Sequence, residues 1–274
     1  MIHVEPALPA RSLSTHPRRA PRPDAPRLAR LERLETELAC GLRQVLERKA
    51  LRLAVVSRVG SDLSRLRFEG DLPYYTHAGL ALREGDAWRV HHLVNTHEGP
   101  RGHLYRQTLA EFLQDDPFAY RVSVVIPRPR LQEAIADILG SLERQALYEP
   151  AYSRIAYPYS TRYQNSNQWV TELIGAARSG EGTRSAVQAF LRAEGALRPD
   201  VLRVGSIPVQ IGAALLTRNT GFNDHPIADR LRGRFAFLLP NAIRAYLAVT
   251  DETIADETVE LPADSTLDLL APAR

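Results

Sequence analysis

A polar, amide-rich stretch in the middle of the chain runs directly into an amphipathic segment, and this junction constrains the fold most. The polar stretch covers residues 163–168, and the amphipathic run covers residues 169–174. Asn165 or Ser166 can cap a helix here, because their side-chain oxygens accept hydrogen bonds from the free N–H groups of a first helical turn. The junction therefore predicts a helix over residues 167–177 that begins in a polar setting with a positive helix end.

Apolar spacing along the rest of the chain predicts the other elements. Leucine recurs at spacings of three and four through residues 28–49, which predicts an amphipathic helix. Alternating apolar residues predict a hairpin whose arms are residues 76–82 and 88–94. Further strands are predicted over residues 51–59 and 120–126, and further helices over residues 131–142 and 185–194. Residues 108–113 are predicted to form a short helix or a turn, and residues 95–103 and 219–226 to form loops.

These elements predict an α+β fold, in which an antiparallel sheet contains the hairpin and is packed by the helices at residues 131–142 and 167–177. Residues 1–27 are rich in proline and arginine without an apolar period, which predicts a disordered tail. Residues 28–274 are expected to form one domain, with a core at 50–178 and a C-terminal elaboration at 179–274, since no long linker divides them.

Composition and charge narrow the classes of partner. Residues 1–30 carry six arginines against Glu5 and Asp24, whereas the rest of the chain has 29 basic and 30 acidic residues. This nearly neutral remainder offers no basic face for nucleic acid.

No apolar run approaches the roughly 20 residues of a transmembrane helix. No secretory signal is visible, which makes a cytoplasmic location the default expectation, although a trimmed start would leave the periplasm open. Oligomeric state is not predicted.

Five of the eight histidines fall between positions 77 and 103, and a metal site is one interpretation of them. It would draw on His91, His92, His97 and His103 together with Glu98. Adjacent residues of a strand point to opposite faces, so the first two histidines do not easily share one ion. None of the helical spacings that place two ligands on one face is present. We therefore predict no metal and no cofactor.

The second interpretation is a nucleophilic site and the third is purely structural. His77 opens a strand of small apolar residues, so its ring can be reached from a groove and can act as a base toward the Ser166 hydroxyl. A histidine on the adjacent hairpin arm can hold the tautomer of His77. In the structural interpretation, His77 is a hydrogen-bonded core residue and Ser166 is a helix cap. Cys40 is expected to be a small residue of the first helix, and Asp224-His225 to belong to a turn, with a lid or rim role as the alternative.

Several segments resemble known families. Residues 76–81, followed by a hairpin and residues 90–93, are similar to the first half of the circularly permuted NlpC/P60 superfamily, which includes the lecithin:retinol acyltransferase-like proteins. Residues 58–63, 115–120 and 160–169 together resemble the bacterial DUF2145 family, and that resemblance extends over roughly residues 40–270. The two resemblances imply a permuted papain-like core with a C-terminal elaboration.

The resemblance also implies roles for individual residues. His77 takes the position of the base, and His92 takes the position of the residue that orients it, with His91 as the alternative. Ser166 takes the position of the nucleophile, where the superfamily has cysteine. This departure matters because a hydroxyl is activated only by a strong base partner, whereas a thiol is partly ionised near neutral pH.

The implied activity is a hydrolase or acyltransferase that acts on an amide or ester of a cell-wall peptide, glycopeptide or lipid. Gln164 and Asn165 would assist backbone N–H groups at the oxyanion. Tyr163 and Tyr75 would line a substrate groove. The other expectation is an inactive member that binds a peptide or a lipid head group in the same groove.

Overall fold

The structure is a computed structural model that describes residues 25–49, 51–95, 99–114, 119–205 and 219–261. Its strands are β1 (Leu53–Val59), β2 (Arg67–Phe68), β3 (His77–Glu84), β4 (Ala87–Asn95), β5 (Gly102–Gln107), β6 (Ala119–Pro127), β7 (Asp200–Arg203), β8 (Arg234–Phe237) and β9 (Thr253–Glu260). Its helices are α1 (Ala25–Arg48), α2 (Leu109–Gln114), α3 (Pro129–Gly140), α4 (Glu143–Ala146), α5 (Ser166–Ser179), α6 (Arg184–Glu194), α7 (Ile227–Leu231) and α8 (Pro240–Val249).

The described residues form an α+β fold around a six-stranded sheet. The strand order is β5-β4-β3-β1-β6-β9, and every neighbouring pair is antiparallel. Strands β2, β7 and β8 form a second, smaller sheet. The antiparallel sheet packed by helices, which the sequence patterns predict, is therefore confirmed.

The large sheet separates two apolar layers, because successive side chains of a strand point to opposite faces. On one face, Ala78 and Leu80 of β3 join the buried residues of α3, α5, α6 and α8. We call this the α5 face. On the other face, Ala81 of β3 and Val90 of β4 join the buried residues of α1 and α2, including Phe112. We call this the α2 face.

Two elements have bounds that differ from the predictions. Helix α1 begins at Ala25, three residues before the predicted start, because the first turn of a helix tolerates Pro26. The predicted loop at residues 95–103 ends earlier, since β5 begins at Gly102. A side chain at Gly102 would lie 2.9 Å from Leu93 and 3.1 Å from Tyr152, so this glycine marks close packing rather than a turn. Of the disordered tail predicted over residues 1–27, residues 1–24 lie outside the described residues, and residues 25–27 belong to α1, so the prediction is wrong for those three.

Of the helices in the described ranges, none is long and apolar enough to cross a lipid bilayer. Cys40 is exposed on α1, in keeping with its expected place in the first helix.

Candidate functional site

A chain of hydrogen bonds links three side chains on the α2 face. His77 opens β3, and its Nε2 lies 2.8 Å from Nδ1 of His92 on β4. Nε2 of His92 in turn lies 2.8 Å from Oε1 of Gln107, the last residue of β5. The side chain of His92 is fully buried, whereas His77 is partly exposed. The predicted contact between the two hairpin histidines is thus present in the structure.

Gln107, the acceptor at the end of this series of hydrogen bonds, determines which nitrogen of each imidazole carries the proton. Because Oε1 of Gln107 can only accept, His92 carries its proton on Nε2 and presents a lone pair at Nδ1. His77 then donates from Nε2 to His92, and Nδ1 of His77 is left as an unprotonated lone pair. A neutral imidazole with one fixed N–H is the form that a general base requires.

The surroundings keep both rings neutral. The rings of His77 and His92 lie 5.7 Å and 5.2 Å from the ring of Phe112, and the guanidinium of Arg58 lies 5.4 Å from the same ring. Burial and the positive charge of Arg58 lower the pKa of His92 to about 3. Burial, Arg58 and the His92 ring lower the pKa of His77 well below its usual range. Both imidazoles are therefore uncharged near neutral pH.

His91 points to the opposite face of the sheet and belongs to another cluster. Its Nε2 lies 2.8 Å from Oε1 of Glu84, and Arg106 also donates to that carboxylate. Of the two adjacent histidines, His92 is therefore the one that contacts His77. His97 and Glu98 lie outside the described residues, and within the described ranges no three or more histidine, cysteine or acidic side chains are grouped as metal ligands.

Ser166 is the first residue of α5, and Asn165 rather than Ser166 caps the helix. The Asn165 backbone is extended, and its Oδ1 accepts from the N–H of Gln168 at 2.7 Å. The interpretation of Ser166 as the cap is therefore wrong. Its hydroxyl stands at the positive end of a helix of 14 residues. The residue is 4% exposed, and its hydroxyl forms no hydrogen bond with any described residue.

Asn167 ties this helix start to both neighbours of His77. Its Oδ1 accepts from the N–H of Ala78 at 2.9 Å. Its Nδ2 donates to the carbonyl oxygens of Thr76 at 3.1 Å and Leu238 at 3.0 Å. The start of α5 is thereby held against the start of β3.

The ring of His77 and the body of α5, which begins at Ser166, nevertheless lie on different faces of the sheet. His77 and Ala81 alternate with Ala78 and Leu80, so the His77 ring lies on the α2 face with Phe112. The body of α5 packs on the α5 face. Within the described part of the chain, the structure joins His77 to His92 but shows no hydrogen bond between His77 and Ser166.

The side-chain amides of Gln164 and Asn165, which the sequence assigns to the oxyanion, form hydrogen bonds with other parts of the fold. Oε1 of Gln164 accepts from the N–H of Glu149 at 2.9 Å, and its Nε2 donates to Leu147 and Glu172. Asn165 caps α5 and donates from Nδ2 to the carbonyl of Arg154 at 3.2 Å. The free donors at this helix start are therefore backbone N–H groups of the first turn.

The two tyrosines predicted to line a groove have different settings. Tyr163 is half-buried and packs against Gly221, where an added side chain would come within 3.1 Å of its ring. Tyr75 is 3% exposed, with the guanidinium of Arg244 lying 5.4 Å from its ring and its hydroxyl 3.5 Å from that of Thr258. Of the two, Tyr163 is the more accessible.

A buried ionic network behind the site carries no obvious signal in the sequence. Glu172 of α5 is 1% exposed and accepts from Arg184 at 2.8 Å and from Gln188 at 2.6 Å. Arg184 also donates to the carbonyls of Thr161 and Tyr163, and so holds the segment that leads into α5. Burial raises the pKa of Glu172 even though Arg184 opposes this shift. The sequence signal is a glutamate within a helix whose two following residues are apolar.

Asp224 and His225 lie in a loop that docks onto residues 153–157. Oδ2 of Asp224 accepts from the N–H of Tyr157 at 2.7 Å, and Nε2 of His225 donates to the carbonyl of Ile155 at 2.7 Å. Residues 223 and 224 form a turn, as the sequence predicts, but both of these bonds join a side chain to backbone that is distant along the chain. The pair does not contact the His77–His92–Gln107 chain in any of these bonds.

Comparison with known proteins gives one match. The model of the DUF2145 family, described as an uncharacterized protein conserved in bacteria, matches residues 45–247. Neither the curated proteins nor the solved structures gave a match. Since the matched range covers most of the chain and includes His77, His92, Gln107 and Ser166, the protein belongs to the DUF2145 family.

Proposed function

We propose that this protein is an acyl hydrolase or acyltransferase with a permuted papain-like core, in which Ser166 is the nucleophile, His77 the base and His92 the residue that orients the base. The observation that carries the proposal is the His77–His92–Gln107 chain. It leaves Nδ1 of His77 as a lone pair in a ring of fixed tautomer. A ring held only for packing needs no second buried histidine to define its tautomer.

The proposed reaction has two stages. Nδ1 of His77 takes the proton of the Ser166 hydroxyl as Oγ attacks the carbonyl carbon of an amide or ester. Backbone N–H groups at the start of α5 stabilise the oxyanion. When the tetrahedral intermediate collapses, the amine or alcohol leaves with the proton from His77. Water, or an acceptor alcohol or amine, then releases the acyl group from Ser166 by the reverse sequence.

Two further observations bear on this assignment, and the first supports it. Asn165 takes the capping role, so no structural hydrogen bond to a described residue occupies the hydroxyl of Ser166. The low pKa of His77 keeps its ring unprotonated near neutral pH, but it also makes the imidazole a weaker base, which weighs against activation of a hydroxyl. The substrate class, an amide or ester in a cell-wall peptide, glycopeptide or lipid, follows from the resemblance to the NlpC/P60 superfamily. No cofactor enters the proposal.

A second candidate function is binding without turnover. It is favoured by the placement of the His77 ring on the α2 face, away from the body of α5, and by the serine in place of cysteine. In that case the protein binds a peptide or a lipid head group near the start of α5, and Ser166→Ala leaves the affinity unchanged.

The test is labelling with a fluorophosphonate probe, which reacts with activated serines. We expect the wild type to be labelled, and Ser166→Ala and His77→Ala each to abolish labelling while the fold is retained by circular dichroism. Ser166→Cys, probed with iodoacetamide, asks whether the site activates a thiol better. No labelling of the folded wild type, together with a Ser166→Cys thiol of ordinary reactivity, would support the binding function.

A further inference from the structure

Asn167 makes the only side-chain hydrogen bonds that join the start of α5 to the start of β3 among the described residues. It is 3% exposed, and both of its amide hydrogens are used. Its partners, Thr76 and Ala78, are the two neighbours of His77. Asn167 itself directly follows Ser166. A single amide therefore touches the chain on either side of the candidate base and sits next to the candidate nucleophile.

The amide occupies a place that a neighbouring strand would otherwise fill. The ladder between β3 and β4 runs from Leu80 opposite His91 to Glu84 opposite Ala87. Before Leu80 no ladder pair joins the two strands in the described structure, and the edge groups of Thr76 and Ala78 bond to Asn167 instead. Side chains that replace a strand in this way fix position as well as satisfying buried backbone groups.

Ser166 and His77 are direct chain neighbours of the residues that form the Asn167 contact. Consecutive Cα atoms lie about 3.8 Å apart, so Ser166 and His77 are each one such step from a residue of the Asn167 contact. We propose that Asn167 is a positioning residue, which sets the separation and orientation of Ser166 relative to His77. This inference rests on the proposed function, because it gives Asn167 a role only if those two groups react together.

The hydrogen bonds of Asn167 indicate which substitution is informative. Asn167→Asp has the same shape and keeps the acceptor for the N–H of Ala78. It loses both donors and places a carboxylate oxygen against the carbonyls of Thr76 and Leu238. The start of α5 is then expected to shift from β3. A displacement of about 1 Å is enough to cost on the order of a hundredfold in a positioned reaction.

The experiment uses a thiol introduced by Ser166→Cys, in a full-length chain whose one natural cysteine is removed by Cys40→Ser. The rate of alkylation by iodoacetamide is measured with and without His77→Ala, and the ratio of the two rates reports how strongly His77 activates the thiol. Because it is a ratio, the effect of the added charge in Asn167→Asp on the thiol itself largely cancels. The same ratio is measured with Asn167→Asp and with the neutral change Asn167→Ala.

The control is Thr171→Val, which removes a buried hydrogen bond of 2.8 Å from the first turns of the same helix without touching β3. In the parent chain, which carries Ser166→Cys and Cys40→Ser, we expect a rate ratio of at least about ten. With either Asn167 change the ratio should fall to within about twofold of one, and with Thr171→Val it should not fall. A ratio retained with both Asn167 changes overturns the positioning role and leaves the proposed function intact. A ratio lost with Thr171→Val as well also overturns it, since any weakening of α5 would then suffice. A parent ratio of one overturns the proposed function itself.

Discussion

Nε2 of His77 lies 2.8 Å from Nδ1 of His92, and the pair ends on the amide oxygen of Gln107. Strands β3, β4 and β5 each supply one member, in the order in which the strands lie in the sheet. The chain therefore runs across three adjacent strands on the α2 face. Because Gln107 accepts a hydrogen bond at the far end of this chain, His77 is held in a single tautomer.

Gln107→Leu is expected to disturb this tautomer. The buried N–H of His92 would lose its acceptor, which costs about 1–3 kcal/mol of unfolding free energy. Nitrogen NMR of the imidazoles should show the wild-type His77 protonated on Nε2 alone, and a mixture of tautomers in the variant. Gln44→Leu, on the exposed surface of α1, is the control and should change stability by less than about 0.5 kcal/mol. Protonation of wild-type His77 on Nδ1 would contradict the assignment.

The low pKa of His92 predicts a pH dependence of stability. Its folded pKa is about 3, against the usual 6.5, so between these values the unfolded chain binds more protons than the folded one. Stability therefore falls as the pH decreases from about 6.5, by up to about 1.4 kcal/mol per pH unit for this group. Asp200, whose pKa burial raises to about 6, acts in the opposite direction.

His92→Gln isolates this contribution. Asp200 and the other groups remote from this site titrate in both proteins, so the difference between the two curves of unfolding free energy against pH reports His92 together with the change that its loss makes in the titration of His77. We expect the wild-type curve to be steeper than the variant curve between pH 4 and about 6.5, measured by urea unfolding. Parallel curves over this range would mean that His92 titrates alike in the folded and unfolded chain.

The sequence predicts the local parts of this structure well. The hairpin arms and the helix at residues 167–177 follow from periodicity, and their predicted bounds lie within one or two residues of β3, β4 and α5. The hairpin predicts that a histidine of the second arm lies near His77, and the resemblance to the NlpC/P60 superfamily indicates His92, with His91 as the alternative. These features depend on contacts between residues that are close along the chain.

The features that the sequence does not predict depend on contacts between residues that are far apart along the chain. Strand β9 alternates between half-buried and exposed positions, and pairs with β6 across more than 100 residues, so neither its pattern nor its partner is evident locally. Gln107 gains its role from the pairing of β5 with β4, at a place where Gly102 suggested a loop. Arg58 and Phe112 come from β1 and α2, and only the closed sheet brings them beside the histidines.

The buried pair of Glu172 and Arg184 should be sensitive to loss of one partner. Their side chains are 1% and 6% exposed, and Arg184 also holds the segment before α5. Glu172→Leu leaves a buried charge without its partner, which costs about 3–5 kcal/mol. The Glu172→Leu/Arg184→Leu double variant should recover part of this loss, because no unpaired charge remains.

The matched control for that pair is the exposed ion pair of Arg52 and Glu133, whose side chains are 49% and 52% exposed. Glu133→Ala should change the unfolding free energy by less than about 1 kcal/mol. Thermal or urea unfolding of the four proteins tests the prediction. It fails if Glu172→Leu is no more destabilising than Glu133→Ala.

Gly79 allows the second histidine to approach β3. An added Cβ would lie 2.6 Å from Val90, and 3.3 Å from both the Cβ of His92 and the ring of Phe112. Gly79→Ala must therefore push β4 or α2 away, at a cost of about 1–3 kcal/mol, and lengthen the contact between His77 and His92. Fluorophosphonate labelling should fall with it, because the base loses its orienting partner. Gly140→Ala, at the end of α3 with no atom within 4 Å of its Cβ, is the control and should be neutral or slightly stabilising. Equal stability of the two variants would show that the sheet accommodates a methyl group at Gly79, and that close approach there does not hold the histidines together.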